Sequence, residues 1–366
     1  MALSLLADRT APAHCWERTP TMHYGQLFAG LPIKEILHHT VEDEILSVSY
    51  QRELRDFVHD SPAMDTETHA EIRRFAERLR ALAHESDPAQ GVAWRVAGDE
   101  ETPFQAAFER FLHTVDTYEV TALVIGYWGA IHEEHKPDPV RLLTRSAHLM
   151  PQLEALFLGD VSSEEQELSW IHLSDVTPLL EAFPRLERLD IRSGSLALRP
   201  TSHDRLKTLR IESGGLPGEV VRAVAASDLP RLEHLDLWLG VGLYGGDATV
   251  ADLEPILGGA RLPALRHLGL EDSEIQDEIA AAVAGAPVVA RLETLSLAMG
   301  MLSDEGAAAL LSGQPLTHLK KLDLHHHYVS DAMAEKIHAA LPGVSVDLSE
   351  SVHLSEGYAP YVAVSE

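Results

Sequence analysis

Histidine and aspartate side chains near residue 325 are of types that coordinate metal ions. His325, His326 and His327 follow Asp323, and imidazole and carboxylate groups are ligands that Zn²⁺ accepts. In an extended segment His325 and His327 share one face, and His267 is a further candidate ligand. Three adjacent histidines cannot all reach one ion, however, and the chain has 21 histidines. We therefore expect structural or interface histidines, and the sequence predicts no metal site and no other cofactor.

A glycine-rich segment matches the dinucleotide-binding fingerprint in its letters. Gly240-Val-Gly242-Leu-Tyr-Gly245 follows a strand, and Glu271 and Asp272 close the next strand, roughly where a ribose-binding acid would lie. The helical pattern, however, starts only near Thr249, and neighbouring repeats also carry a glycine at this place. We therefore predict a flexible loop at the rim of the sheet and no nucleotide site.

The sequence offers little support for catalysis. Cys15 is the only cysteine, and it lies in a segment without hydrophobic periodicity or an organised partner. Serine, histidine and aspartate are all abundant, so a possible triad carries no weight. We predict that the protein is not an enzyme.

A repeated pattern must position these side chains. Leu-x-x-Leu-x-Leu/Ile occurs seven times, at spacings of 33, 20, 26, 33, 27 and 27 residues. A degenerate copy, Val120-Leu123-Ile125, precedes the first. The seven copies are Leu153-Leu156-Leu158, Leu186-Leu189-Ile191, Leu206-Leu209-Ile211, Leu232-Leu235-Leu237, Leu265-Leu268-Leu270, Leu292-Leu295-Leu297 and Leu319-Leu322-Leu324. Each copy predicts a strand followed by a turn and, in most repeats, a helix. The helices are clearest at 277–283 and 304–311.

These repeats resemble leucine-rich repeats of the ribonuclease-inhibitor-like subtype, most closely at 265–291 and 292–318. The resemblance implies an α/β leucine-rich-repeat solenoid with a curved parallel sheet on the concave side and helices on the convex side. The family usually places Asn or Cys three residues after the last Leu of each strand. Here those positions hold Val161, Gly194, Gly214, Gly240, Ser273, Gly300 and His327, so the hydrogen-bonded Asn ladder is missing.

Residues 90–366 also resemble a family of uncharacterised actinobacterial cytoplasmic leucine-rich-repeat proteins. The similar segments include Val92-Ala-Trp-Arg, Ile211-Glu-Ser-Gly-Gly-Leu-Pro, Leu324-His-His-His-Tyr and Tyr361-Val-Ala-Val-Ser-Glu. Members tend to be encoded beside peptide-modifying enzymes of the ATP-grasp and radical-SAM types. The resemblance implies a partner or scaffold role.

In strands of this type the leucines point inward, and the alternate positions line the concave sheet. These positions are either a solvated face with cross-strand ion pairs or a partner-binding surface, and we favour the second, with Trp238 as a hot spot. The predicted partner-binding residues are Arg188, Asp190, Arg210, Glu212, His234, Asp236, Trp238, His267, Glu271, Asp323 and His325.

The chain divides into four predicted parts. Residues 1–20 are a disordered leader, and 21–90 form a helical N-terminal cap with a helical pattern from Leu31 to about His84. Residues 91–348 form the solenoid. Residues 349–366 are a flexible C-terminal tail.

Charge restricts the partners. Lys and Arg total 29 against 57 Asp and Glu, which gives a net charge of −28. Such a surface repels nucleic acid and anionic membranes and favours a protein or peptide with a basic patch. With one cysteine, no signal peptide and no transmembrane run, we expect a cytoplasmic protein.

The favoured function is therefore a non-catalytic scaffold that binds a protein or peptide through the concave face. The alternative is a carrier or substrate protein whose tail is recognised or modified by a partner peptide-modifying enzyme of the ATP-grasp or radical-SAM type. The alternating Tyr-Val-Ala-Val of the tail motivates it, because such a segment can add as a strand to a partner's sheet. The tail motif comprises Tyr358, Tyr361, Val362, Val364 and Glu366. An enzyme that uses the His- and Asp-lined rim is the least favoured reading.

Overall fold

A computed structural model describes residues 27–35, 91–99, 102–129, 137–353 and 359–365. Within them the chain is an α/β protein with a twelve-stranded sheet, a separate two-stranded sheet and eight α-helices. The strands are β1 Leu27–Phe28, β2 Leu31–Glu35, β3 Ala93–Val96, β4 Ala122–Ile125, β5 Ala155–Leu158, β6 His172–Asp175, β7 Arg188–Arg192, β8 Ser195–Ala197, β9 Thr208–Glu212, β10 His234–Gly240, β11 His267–Ser273, β12 Thr294–Ser296, β13 Lys321–Asp323 and β14 Ser345–Asp347. The helices are α1 Phe104–Thr114, α2 Pro139–Ser146, α3 Thr177–Ala182, α4 Gly218–Ala226, α5 Val250–Leu257, α6 Gln276–Ala284, α7 Asp304–Ser312 and α8 Asp331–Ala340.

The large sheet follows the repeat. Its strand order is β1-β2-β3-β4-β5-β7-β9-β10-β11-β12-β13-β14, and every pair except β1 with β2 is parallel. Among the described residues β1 and β14 are its two edges. Strands β6 and β8 form the small sheet.

Leucines of successive repeats pack in register. Leu235, Leu268, Leu295 and Leu322 are neighbours across β10 to β13, and all four are fully buried. Each such burial stabilises the fold by roughly 1.5–3 kcal/mol. The second and third leucines of the repeat therefore fix the face of each strand that packs into the core.

Helices connect the strands where the repeat is long enough. Helices α6 and α7 confirm the predictions at 277–283 and 304–311. Asp304 and Glu305 lie in the first turn of α7, and the Ser303 hydroxyl accepts a hydrogen bond from the Glu305 N–H. The short spacing between β7 and β9 accommodates only strand β8, which pairs with β6.

The N-terminal region departs from the helical prediction. Residues 27–35 form a β-hairpin, whose β2 strand extends the large sheet beside β3, whereas the sequence pattern predicts helix from Leu31. Ala29 and Gly30 form the turn, with φ values of 50° and 77°. Phe28 packs on Phe157, with ring centroids 6.1 Å apart. The pairing of β2 with the distant strand β3 thus outweighs the helical pattern of the local sequence. The predicted leader at 1–20 and the remainder of the cap to residue 90 lie outside the described residues.

The two faces of the large sheet differ along its length. On β4 and β5 both faces are apolar, because Ala122, Val124, Ala155 and Phe157 form a second small core with Phe28. From β7 onward this second face carries polar residues instead. We call the alternate, non-leucine positions of β7 to β13 the polar face. No helix in the described part of the chain is long and apolar enough to cross a bilayer.

Candidate binding site on the polar face of the sheet

Strand register brings the predicted partner-binding residues together in rows. An outer row runs through Arg188, Thr208, His234, His267, Thr294 and Lys321. A central row runs through Asp190, Arg210, Asp236, Gly269, Ser296 and Asp323. The repeat spacing therefore predicted correctly which side chains are neighbours.

Eight of the predicted binding residues are buried, which corrects the expectation of a solvent-facing surface. The predicted binding residues Asp190, Arg210, Glu212, Asp236, Trp238, Glu271, Asp323 and His325 all have exposed fractions of 7% or less. Trp238 is fully buried, and its indole N–H donates a 2.9 Å hydrogen bond to Glu271. The guanidinium of Arg210 lies 5.7 Å from the centre of the same ring. Trp238 is therefore a core residue and not a surface hot spot.

Arginine–carboxylate pairs hold the first half of the central row. Arg188 lies 2.7 Å from Asp190, and Arg210 lies 3.0 Å from Glu212, which Arg192 also approaches at 3.1 Å. Burial raises the pKa of Asp190 to about 6, although Arg188 opposes the shift. Of these pairs only Arg192 with Glu212 joins two strands, as the solvated-face alternative predicts, and its carboxylate is buried.

His234, Asp236 and His267 form the centre of the polar face. Each Nε2 lies 2.6 Å from a different oxygen of Asp236. The two imidazole rings are stacked, with centroids 3.8 Å apart and an interplanar angle of 2°. Although burial opposes ionisation, the hydrogen bonds from both histidines hold the pKa of Asp236 well below its usual value.

Asp323 and His325 make a second polar group on β13. His325 Nδ1 donates to Asp323 at 2.8 Å, and Lys321 Nζ lies 2.7 Å from the other carboxylate oxygen. Burial opposes ionisation of Asp323, but these two partners lower its pKa to about 2. His326 and His327 point elsewhere, because their Nε2 atoms bond the Tyr361 and Leu348 carbonyls. The three consecutive histidines therefore do not converge on one point.

The outer row reaches solvent. The side chains of Arg188, His234, His267 and Lys321 have exposed fractions of 34%, 37%, 21% and 45%. Buried carboxylates of the central row lie behind each of them. A partner that approaches the polar face would meet this row first.

The C-terminal segment 359–365 lies across the ends of β11 to β13, and the sequence did not anticipate this docking. The Val364 N–H donates to Asp272 Oδ1 at 2.9 Å, and the Ala363 N–H donates to the Met299 carbonyl at 2.8 Å. Tyr328 donates its hydroxyl proton to the Tyr361 carbonyl at 2.8 Å. The expectation of a flexible tail is therefore wrong for these residues.

The tail motif is divided between buried and exposed side chains. Val362 and Val364 are buried, with exposed fractions of 4% and 7%, whereas the Tyr361 side chain is 56% exposed. Alternation along an extended segment produces this pattern. Tyr358 and Glu366 lie outside the described residues.

A ladder of left-handed residues supports the docked segment. Asp272, Met299 and His326 have φ values of 55°, 69° and 54°, and each follows the middle leucine of its repeat by four positions. Non-glycine residues rarely adopt this conformation, and it persists where the surroundings enforce it. All three contact the tail. Asp272 and His326 carried a weak sequence signal, because Asp and His are enriched among left-handed residues, but Met299 carried none.

The glycine-rich segment is a turn between repeats, as predicted. Gly240 and Gly245 adopt φ values of 68° and 97°, and a 3₁₀ turn at Gly242–Tyr244 lies between them. Helix α5 begins only at Val250, after a capping box between Thr249 and Asp252. The third glycine therefore does not open a helix, which a phosphate site would require.

Comparisons with known proteins support the fold. A crystal structure of a Bacteroides fragilis protein, a structural genomics target, superposes with a TM-score of 0.67 at 29% sequence identity. The match covers 81% of this chain and 86% of that protein. The likeness fits a repeat-like α/β fold. No family model matches the chain, and no significant match was found among curated proteins.

Proposed function

We propose that this chain is a leucine-rich-repeat solenoid of the ribonuclease-inhibitor-like subtype that binds a protein or peptide and catalyses no reaction. The observation that carries this is the outer row, in which half-buried side chains from six strands lie in register on one face. Repeat proteins use such extended faces to bind partners. In this assignment the polar face is the concave side of the solenoid.

The buried central row supports a rigid binding surface. Arg188 and Lys321 are each held by a carboxylate two positions further along their strand, at 2.7 Å. A side chain that is already ordered loses less conformational entropy when a partner binds. The outer row would therefore offer prearranged hydrogen-bond donors.

The chemistry of the partner follows from charge. The net charge of −28 attracts a protein or peptide with a basic patch to the molecule as a whole and disfavours nucleic acid and membranes, whereas the donors of the outer row would bind acceptor oxygens of that partner. The single cysteine supports a cytoplasmic location, where thiols stay reduced.

Affinity capture with variants tests this proposal. The purified full-length chain is the bait in lysate of its host, beside an outer-row variant that carries Arg188→Ala, His234→Ala and Lys321→Ala. The matched control is Arg222→Ala with Lys320→Ala, whose side chains are 59% and 74% exposed. We expect one partner to be captured by the wild type and the control and lost from the outer-row variant. Equal capture by all three baits would refute the assignment.

A second candidate is a carrier protein whose tail is recognised by a peptide-modifying enzyme. The exposed Tyr361 favours it, since this side chain is accessible while its neighbours are docked. Intact mass of protein purified from its native host tests it, because a modified tail adds mass. An unmodified mass of the protein from its native host would exclude this role.

A further inference from the structure

We propose that His234, Asp236 and His267 form a binding site for a divalent transition-metal ion of the zinc class. One ligand atom from each of the three side chains lies within 4.8 Å of the others. Two imidazole nitrogens and one carboxylate oxygen are three of the four ligands that Zn²⁺ takes in open protein sites. This inference does not depend on the proposed partner binding.

Rigid neighbouring strands hold the two histidines. His234 on β10 and His267 on β11 are register partners, so backbone hydrogen bonds of a parallel pair fix the distance between them. Both Nε2 atoms point to the same carboxylate at 2.6 Å. The two rings are stacked with nearly parallel planes, so a metal ion that replaces the Nε2 protons would require both rings to rotate until their lone pairs converge.

Gly269 makes room for the carboxylate of the site. It lies opposite Asp236 in the interior of β11, where glycine otherwise weakens a strand. A Cβ atom at this position would overlap Asp236 Oδ1. The missing side chain therefore leaves the space in which the carboxylate lies between the two imidazoles.

Solvent can reach the site. The side chains of His234 and His267 are 37% and 21% exposed, whereas Asp236 lies behind them with 7% exposure. An ion can enter from the outer row, and water can complete its coordination there. The positive charge of nearby Arg210 is offset by Glu212 at 3.0 Å.

The group at Asp323, His325 and Asp347 also has three possible ligand atoms, but it fits an ion less well. It supplies one imidazole instead of two. Lys321 Nζ lies 2.7 Å from Asp323 and already compensates its charge. An incoming cation would have to displace this ammonium group, so we assign the site to the His234 group alone.

Zinc titration of the full-length chain tests the proposal. Protein treated with a chelator is titrated with ZnCl₂ at neutral pH by calorimetry, and the bound metal is quantified after dialysis. The ligand variants are His234→Ala and His267→Ala. The matched controls are His325→Asn in the second group and His318→Gln, whose ring bonds the Val289 carbonyl and belongs to neither group. Folding of each variant is checked by its thermal melt.

We expect the wild type to bind Zn²⁺ saturably and each ligand variant to lose more than about tenfold in affinity, since even outer-shell changes cost that much. Both controls should bind like the wild type. Absence of saturable binding, unchanged affinity in the ligand variants, or a loss caused by His325→Asn would each overturn the assignment. If a ligand variant fails to fold, the test uses the wild type instead, through the NMR chemical shifts of its imidazole nitrogens. Zinc should then shift the Nε2 signals of His234 and His267, and unshifted signals would refute the site.

Discussion

The carboxylate of Asp272 accepts a 2.9 Å hydrogen bond from the backbone N–H of Val364, 92 positions further along the chain. Asp272 is fully buried in a left-handed conformation, and burial raises its pKa well above the usual value. A buried carboxyl group is costly unless it is hydrogen-bonded. The pairing therefore links the C-terminal segment to the end of β11.

Asp272→Gly should release this segment. Glycine keeps the left-handed backbone without strain and removes the acceptor of the Val364 N–H. We expect faster amide hydrogen exchange at Val364 and Ala363, and slow exchange retained at Leu268. Hydrogen exchange is the decisive measurement, because removal of a buried carboxyl group has two opposite effects on the free energy of unfolding. It removes a desolvation cost, and it also removes a hydrogen bond. Glu278→Ala, an exposed acid on α6, is the control. Unchanged exchange at Val364 would show that the bond does not hold the tail.

Asp190→Asn should change the pH dependence of stability. The folded-state pKa of Asp190 is about 6, against an ordinary value of 3.8, so the folded state binds the extra proton between these values. The stability that the raised pKa of Asp190 contributes is fully present below pH 3.8 and is lost as the pH rises through about 6. Between these limits the wild type should lose up to about 3 kcal/mol that the variant does not lose.

Denaturant unfolding at acidic and mildly alkaline pH measures this difference. The exposed Asp331→Asn serves as the control and should follow the wild type. Parallel pH profiles for wild type and Asp190→Asn would contradict the prediction.

Gly269→Ala should destabilise the centre of the polar face. The new methyl group would overlap Asp236 Oδ1 and push the carboxylate away from both histidines. Overpacking of this kind costs roughly 1–3 kcal/mol in free energy of unfolding. Gly285→Ala is the matched control, because a Cβ there meets no atom within 4 Å and φ is −110°. Equal stability of the two variants would count against the geometry described here.

Leu268→Ala should show how much a repeat leucine stabilises the fold. Leu268 is fully buried between Leu235 and Leu295, so truncation should cost about 2–5 kcal/mol. Leu243, which is 84% exposed in the glycine-rich turn, should tolerate the same change within about 0.5 kcal/mol. Chemical denaturation of both variants measures the contrast, and similar losses would contradict it.

Local periodicity predicted the parts of the fold that repeat. The position of each Leu in Leu-x-x-Leu-x-Leu placed the strands and the buried face, and acidic first turns marked helices α6 and α7. His234 and His267 hold the same position in their repeats, and the strand register makes them neighbours. These features depend on residues only a few positions apart, which a single sequence displays directly.

Burial and long-range contacts followed from the tertiary structure alone. Whether Asp236 faces solvent depends on what stands opposite it on strands that are a whole repeat away. The pairing of β2, in the hairpin at 27–35, with β3 joins segments far apart in sequence, and so does the hydrogen bond between Asp272 and Val364. The sequence by itself determined which residues line the polar face. The tertiary structure decided that most of them are buried, because the exposure of a side chain is set by its neighbours in space and not by its neighbours along the chain.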